Sequence, residues 1–275
     1  MPRTWLVTGC SRGLGRQLAE AVLMAGHELV ATARRPEVLA DLVARHPGRA
    51  CATVLDVTNR AQAADAVRAA VDTFGRLDVV VNNAGHGSFG ALEDVTEEDF
   101  RAQIETNLWG VINVTRAALP VLRQQRAGHI IQISSVGGRV AMPGIGPYLT
   151  AKWGVEGFSG ALRQEVGHLG IRVTVVEPGG LRTDWATTSM DVHDVREDYL
   201  PVLGPMLDLL RTETSSIGDP RRAALAILRI AEVDDPPLHL LLGSDAYELA
   251  RAADQARMTS DEAWRELTIS TDRDA

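Results

Sequence analysis

Thr8-Gly9-Cys10-Ser11-Arg12-Gly13-Leu14-Gly15 stands between a short apolar run, Trp5–Thr8, and a stretch of helical patterning, Leu14–Ala25. A strand, a glycine-rich turn and a helix in that order form a place where the backbone can approach a pyrophosphate. The positive end of the helix then stabilises its charge. The glycines are spaced GxxxGxG, which differs from the GxGxxG dinucleotide fingerprint. Taken alone, the loop reads equally well as a glycine-rich turn with no ligand.

The same strand–helix alternation continues outward from this turn. Further strand-like runs are Leu29–Ala33, Ala52–Leu55, Val79–Asn82, His129–Ile133, Val173–Glu177 and Leu238–Leu242. Helical stretches fall between them at Pro36–Arg45, Arg60–Phe74, Glu97–Gln125, Tyr148–His168 and Pro220–Ala231. Gly26 and Gly75 follow two of the helices as C-terminal caps would. The alternation predicts an α/β fold, a Rossmann-like doubly wound parallel sheet of about seven strands with helices on both faces. The strand runs are almost continuously apolar, as strands covered on both sides should be. No repeat or low-complexity segment interrupts them, so residues 1–275 read as a single domain. Two stretches depart from the pattern. Residues 182–218 form a long insertion whose Trp185, Met190, Tyr199, Leu200, Met206, Leu207 and Leu210 suit an apolar lid. Residues 246–275 form a helical extension, read as two pieces at about 246–257 and 260–267 with a polar end.

Composition narrows the function. A net charge of −8 leaves no basic stripe for nucleic acid, and no apolar run approaches a membrane span. The start runs straight into a strand and leaves no room for a signal peptide. Cys10 and Cys51, the two cysteines, are too few for a disulfide framework or a metal cluster. These features fit a soluble, acidic, cytoplasmic domain with no metal, no nucleic-acid partner and no membrane partner.

The residues after the second strand bear on the nucleotide. A site for NAD commonly places a carboxylate there for the adenosine ribose, whereas this chain has Ala33-Arg34-Arg35. Arginine pairs well with phosphate, so Arg34, with Arg12 from the glycine loop, is a candidate for a 2′-phosphate and favours NADP(H) over NAD(H). Arg35 is read as a solvated charge.

Of the 28 basic residues only Lys152 is a lysine. It follows Tyr148 by four positions, which places ammonium and phenol on one helical face. An ammonium about 5 Å from a phenol, at an effective dielectric of about 20, contributes roughly 3 kcal/mol and would bring the phenol from about 10 to near 8.

The glycine loop, Asn82-Asn83-Ala84-Gly85 after the fourth strand, Ser134-Ser135 after the fifth, and the Tyr148/Lys152 pair together resemble the short-chain dehydrogenase/reductase family. The resemblance covers about residues 4–245. It implies Asn107, Ser135, Tyr148 and Lys152 as a catalytic tetrad. It also implies a nicotinamide dinucleotide held by Gly9, Ser11, Arg12, Gly13, Leu14 and Gly15, and by Asp56 and Val57 at adenine. Asn83, Ala84 and Gly85, Tyr148 and Lys152, and Pro178, Gly179 and Thr183 complete that contact set. The implied reaction interconverts a ketone or aldehyde and an alcohol, with Tyr148 as general acid/base, in a homodimer or homotetramer. A binding protein that senses NADPH without turnover is the alternative from another class. His86 reads as a loop residue, His193 as a surface one and Cys10 as a small filler, while Trp185 and Tyr199 are candidates to line the lid.

Overall fold

The computed structural model describes residues 2–183, 190–211 and 217–273. Its centre is a seven-stranded parallel sheet made of β1 (Thr4–Val7), β2 (Glu28–Ala33), β3 (Ala50–Val54), β4 (Val79–Asn82), β6 (Gly128–Ile133), β7 (Ile171–Pro178) and β9 (His239–Leu242). The spatial order is β3-β2-β1-β4-β6-β7-β9. The chain winds outward from β1 to β3, then crosses back to lay β4 on the other side of β1. Such a reversal opens a crevice at the carboxyl ends of the central strands.

Alternate residues of each strand enter opposite cores. Trp5, Val7, Leu29, Ala31, Val79, Val81 and Ile131 pack under α1 (Gly13–Met24) and under α8 (Pro220–Glu232). Leu6, Val30, Val80 and Ile130 face the other way, onto α3 (Arg60–Phe74), α5 (Gly110–Gln125) and α6 (Gly146–Val166). Both faces are therefore dry, which is why the strands lack the polar alternation of a half-exposed sheet. The short α2 (Ala40–Arg45) follows a 3-10 turn at Pro36–Leu39. The sequence reading ran the two together.

Four other features differ from expectation. The stretch read as one helix, 97–125, is divided: α4 (Glu97–Ile104) passes through a π-helical turn, Glu105–Trp109, before α5 begins. Residues Gly87–Phe89 (β5) and Met190–Val192 (β8) make a separate two-stranded parallel ribbon, paired Gly87 with Met190. Three-residue strands carry too little pattern to be seen beforehand. The insertion also holds a helix, α7 (Leu200–Arg211). In the tail, α9 (Ser244–Ala263) runs unbroken through the expected gap at 258–259, and α10 (Arg265–Ile269) follows Trp264. No glycine or proline stands at 258–260 to stop the helix, and Thr259 Oγ1 donates back to the Gln255 carbonyl at 2.9 Å. Among the described residues, no helix is long and apolar enough to cross a membrane.

Candidate active site

The glycine loop leaves β1 and turns sharply, with Gly9 at φ +72° and Gly13 at φ +56°. A Cβ on Gly15 would overlap the Gly9 carbonyl oxygen and the Asn83 side-chain amide. That glycine is what lets α1 press against the loop after β4. Thr8 joins the two strand ends: its hydroxyl accepts from the Asn83 and Ala84 amides at 2.9 and 3.0 Å, and its carbonyl accepts from Asn83 Nδ2 at 2.9 Å.

Asn59, Thr96 and Asp219 cap α3, α4 and α8 with side-chain oxygens, whereas α1 starts with no side-chain cap and no acid in its first turn. An uncapped positive helix end behind a loop without side-chain bulk fits an anionic pyrophosphate. Ser11 and Arg12 in this loop and Arg34 after β2 are exposed, while Leu14 and Gly15 are buried. From the other side Thr183 overhangs it, its Cβ 3.6 Å from where a Cβ on Gly13 would stand. The Pro178–Thr183 segment is steadied by Gly179 N donating to the Leu242 carbonyl at 2.9 Å and Gly180 N to Asp245 Oδ2 at 2.8 Å. Asp56 accepts from Thr58 N and Oγ1 at 3.0 and 2.8 Å, and the Val57 carbonyl from Asn113 Nδ2 at 3.0 Å.

Next to this crevice, β6 ends at Ile133 and the chain turns through Ser134 and Ser135. Ser135 caps the 3-10 turn Val136–Gly138, its Oγ accepting from Gly137 N at 3.1 Å, and it also hydrogen-bonds Tyr148. Lys152 lies one turn along α6 from Tyr148, its Nζ 5.4 Å from the centre of the phenol ring. That Nζ is buried and donates to the Ile133 carbonyl at 2.7 Å. Asn107 sits in the π turn, fully buried. Its Nδ2 donates to the His86 carbonyl at 2.7 Å and its Oδ1 accepts from His86 N at 3.0 Å. The structure thus brings together Ser135, Tyr148 and Lys152 on neighbouring elements and ties Asn107 to the loop after β4.

A family model described as short chain dehydrogenase matches residues 3–193. The chain belongs to the short-chain dehydrogenase family. It is 47% identical over 273 residues to the oxidoreductase BOA17 of Botryotinia fuckeliana, covering 98% of this chain and all of that protein. Among solved structures, a short-chain dehydrogenase from Streptomyces avermitilis superposes with a TM-score of 0.93 at 36% identity, over 99% of this chain and all of that one. A second, from Burkholderia cenocepacia in complex with NADP, has a TM-score of 0.77 at 27% identity and covers 95% of this chain and 97% of that chain. Membership makes the protein an oxidoreductase that uses a nicotinamide cofactor.

For a short-chain dehydrogenase, the electrostatics correct one expectation. The Tyr148 phenol is pushed up to about 12, not down to near 8. Burial dominates, and the Ser135 hydrogen bond opposes it only in part. Lys152 is itself brought down to about 8 by burial, with Glu156 acting against that fall. Helical spacing in a uniform dielectric leaves out the cost of burying the two groups.

The insertion is attached more firmly than its length suggested. His193 is no free surface residue: its Nε2 meets Asp99 Oδ2 at 3.1 Å, and Asp99 accepts from Ser88 Oγ at 2.5 Å. Arg196 pairs with Glu93, and with Asp94 at 2.7 Å, while the Tyr199 hydroxyl donates to Glu93 at 2.5 Å. Phe89, Ala91, Met190 and Leu203 form an apolar cluster, with Tyr199, Met206 and Leu207 packed against it. Trp185 and the Leu210 side chain lie outside the described residues.

Cys10 is fully buried, its Sγ donating to the Val7 carbonyl at 3.2 Å, and burial pushes the thiol up to about 12. Native protein at pH 8 is expected to leave Cys10 unlabelled by an alkylating thiol reagent over hours, with labelling appearing on unfolding; mass spectrometry of the tryptic peptides reads this.

Three contributors escaped the sequence reading. Thr8 joins two strand ends, and the Ile133 carbonyl anchors Lys152. Glu156, Glu177, Arg139 and His239 form a cluster of ionisable groups behind the lysine, with Glu177 buried and His239 at its exposed edge. The spacing of Glu156 four residues after Lys152 was visible, but its partners come from strands that only the fold assembles.

Proposed function

We propose that this chain is an NADP(H)-dependent carbonyl reductase, reversible as an alcohol dehydrogenase, that acts on an apolar ketone or secondary alcohol. The observation that carries the reading is Ser135, Tyr148 and Lys152 meeting beside an uncapped, glycine-lined helix end at the topological switch of the sheet. The cofactor, when bound, supplies or accepts the hydride. Every other part of the reaction falls to side chains of this chain.

Tyr148 gives its proton to the carbonyl oxygen as charge builds there. Ser135 donates to the same oxygen and stabilises it. Lys152 stabilises the phenolate left behind, and Asn107 holds the loop after β4 against the π turn. A phenol held near 12 remains protonated throughout the neutral range, which suits the reductive direction.

Gly9, Ser11, Arg12, Gly13, Leu14 and Gly15 would hold the pyrophosphate end, Asp56 and Val57 the adenine, and Asn83, Ala84 and Gly85 the middle. Pro178, Gly179 and Thr183, with Tyr148 and Lys152, would hold the nicotinamide end. Arg34, exposed and with no acid at the neighbouring positions, supports recognition of a 2′-phosphate together with Arg12, in keeping with the NADP complex of the Burkholderia relative. Arg34→Asp is expected to raise the KM for NADPH about 10- to 100-fold and leave that for NADH unchanged or lower. Equal NADPH affinity in the variant would refute the 2′-phosphate assignment. The apolar cluster of Phe89, Met190 and Leu203 supports a hydrophobic substrate under the insertion. Exposed Trp109 and Trp153, on the elements that carry Asn107 and Tyr148, support a homodimer or homotetramer.

A further inference from the structure

Tyr148, Lys152 and Glu156 recur every four residues along α6 and so share one face. The last of the three enters a cluster that the reaction does not use. Its ligand atoms, with those of Glu177 on β7 and His239 on β9, all lie within 4.8 Å of one another. His239 Nδ1 stands 3.2 Å from Glu156 Oε2 and 3.0 Å from Glu177 Oε1, and Arg139 Nε donates to the same Glu177 oxygen at 2.9 Å. Beyond Arg139 lies Asp254 of α9, at 3.8 Å.

The cluster and the catalytic segment share an anchor. Lys152 Nζ is tied to the Ile133 carbonyl at one end of Ile133–Gly138. At the other end, Glu156 Oε1 and Ser134 Oγ lie 2.6 and 2.8 Å from where a Cβ on Gly138 would stand. Glycine at 138 therefore lets a carboxyl group come up beneath the turn that presents Ser135. Glu177 is fully buried and one of its oxygens is without a hydrogen-bond partner, so a second carboxylate is held in the dry space facing Glu156.

We infer that Glu156 is a positioning residue that keeps the Lys152 ammonium charged. It touches neither substrate nor cofactor and acts through the lysine. Burial drives Lys152 toward its neutral form, and Glu156 opposes that fall. The Glu156 carboxyl is itself raised, by burial and by Glu177, so its charge is sensitive to pH near neutrality. The groups facing this pair are Tyr148 on their own helix, Arg139, Glu177 and His239 from the sheet side, and Asp254 behind Arg139. The inference rests on the reading of Lys152 as the cation beside the catalytic phenol.

Lys152 is the chain's one lysine, so growth on lysine labelled with carbon-13 at the ε position gives a single side-chain signal. Its shift is followed against pH in wild type, Glu156→Gln and Glu156→Asp, without substrate. The glutamine variant, nearly identical in shape, is expected to lower the lysine midpoint by at least about one pH unit. The aspartate variant, which keeps the charge, should restore most of the wild-type value. An unmoved midpoint in Glu156→Gln would overturn the inference. If both variants failed to fold, the wild-type signal would still decide: a second, smaller inflection below the main one supports the coupling, and a single inflection contradicts it. The midpoint is read without turnover, so a failed assay for carbonyl reduction would leave this result standing on its own.

Discussion

Replacing Tyr148 by phenylalanine is expected to lower kcat for carbonyl reduction about a thousandfold, within the range typical of a lost general acid. Dinucleotide affinity should remain near the wild-type value. The ring stays in place on α6, so packing and the Lys152 ammonium over its face are kept, and only the proton donor is removed. Ser135 would still donate to the substrate oxygen, which sets a floor under the residual rate. The phenol, pushed up to about 12, is in its acid form across the working range. Tyr148 should therefore lose none of its acid form between about pH 6 and 9, because a raised pKa keeps the proton on until the pH approaches it. A fall in wild-type reduction near pH 8 would report the Lys152 ammonium, which burial brings down to about 8. Stopped-flow and steady-state measurements of NADPH absorbance read both effects. A phenylalanine variant that kept a tenth of the activity would remove Tyr148 from the acid role.

The next largest effect is expected at Lys152. Methionine there matches the stem in length and volume but carries no charge. An ammonium about 5 Å from a developing phenolate, at an effective dielectric of about 20, is worth roughly 3 kcal/mol. The expected loss in kcat is therefore about a hundredfold, with a higher KM for the cofactor. Lys152→Arg should do little better. The ammonium occupies a nearly fully buried position and donates to one backbone carbonyl, that of Ile133, whereas a guanidinium would bring five donors in a rigid fork into the same dry space. The chain otherwise uses arginine for its cations, which makes this exchange the sharper control. Full activity in the arginine variant would show that charge alone, and not its compact form, is what α6 supplies.

Most of the sheet was legible because its strands are dry on both faces and its helices are long enough to show their period. Val79–Asn82 and Arg60–Phe74 match the sequence reading residue for residue. The candidate site was legible at the level of which strand ends carry it, since the glycine loop, the Asn82–Gly85 turn and Ser135 all follow runs that could only be strands. What escaped depends on energies that sequence spacing does not carry. The π turn at Glu105–Trp109 exists where Asn107 exchanges two hydrogen bonds with the His86 backbone, a pairing between segments 21 residues apart. The β5–β8 ribbon joins segments about a hundred residues apart through three residues each. The direction of the Tyr148 shift was missed because helical spacing shows proximity to a cation and says nothing of how far the fold buries either group.

NADPH consumption by the wild-type protein against a panel of apolar ketones and aldehydes, repeated with NADH, tests the central claim most directly. Turnover with NADPH, weaker with NADH, on at least one apolar carbonyl is the predicted result. Tight NADPH binding with no turnover on any carbonyl, nor on the matching alcohols with NADP in the reverse direction, would contradict it and favour a protein that binds the nucleotide without chemistry.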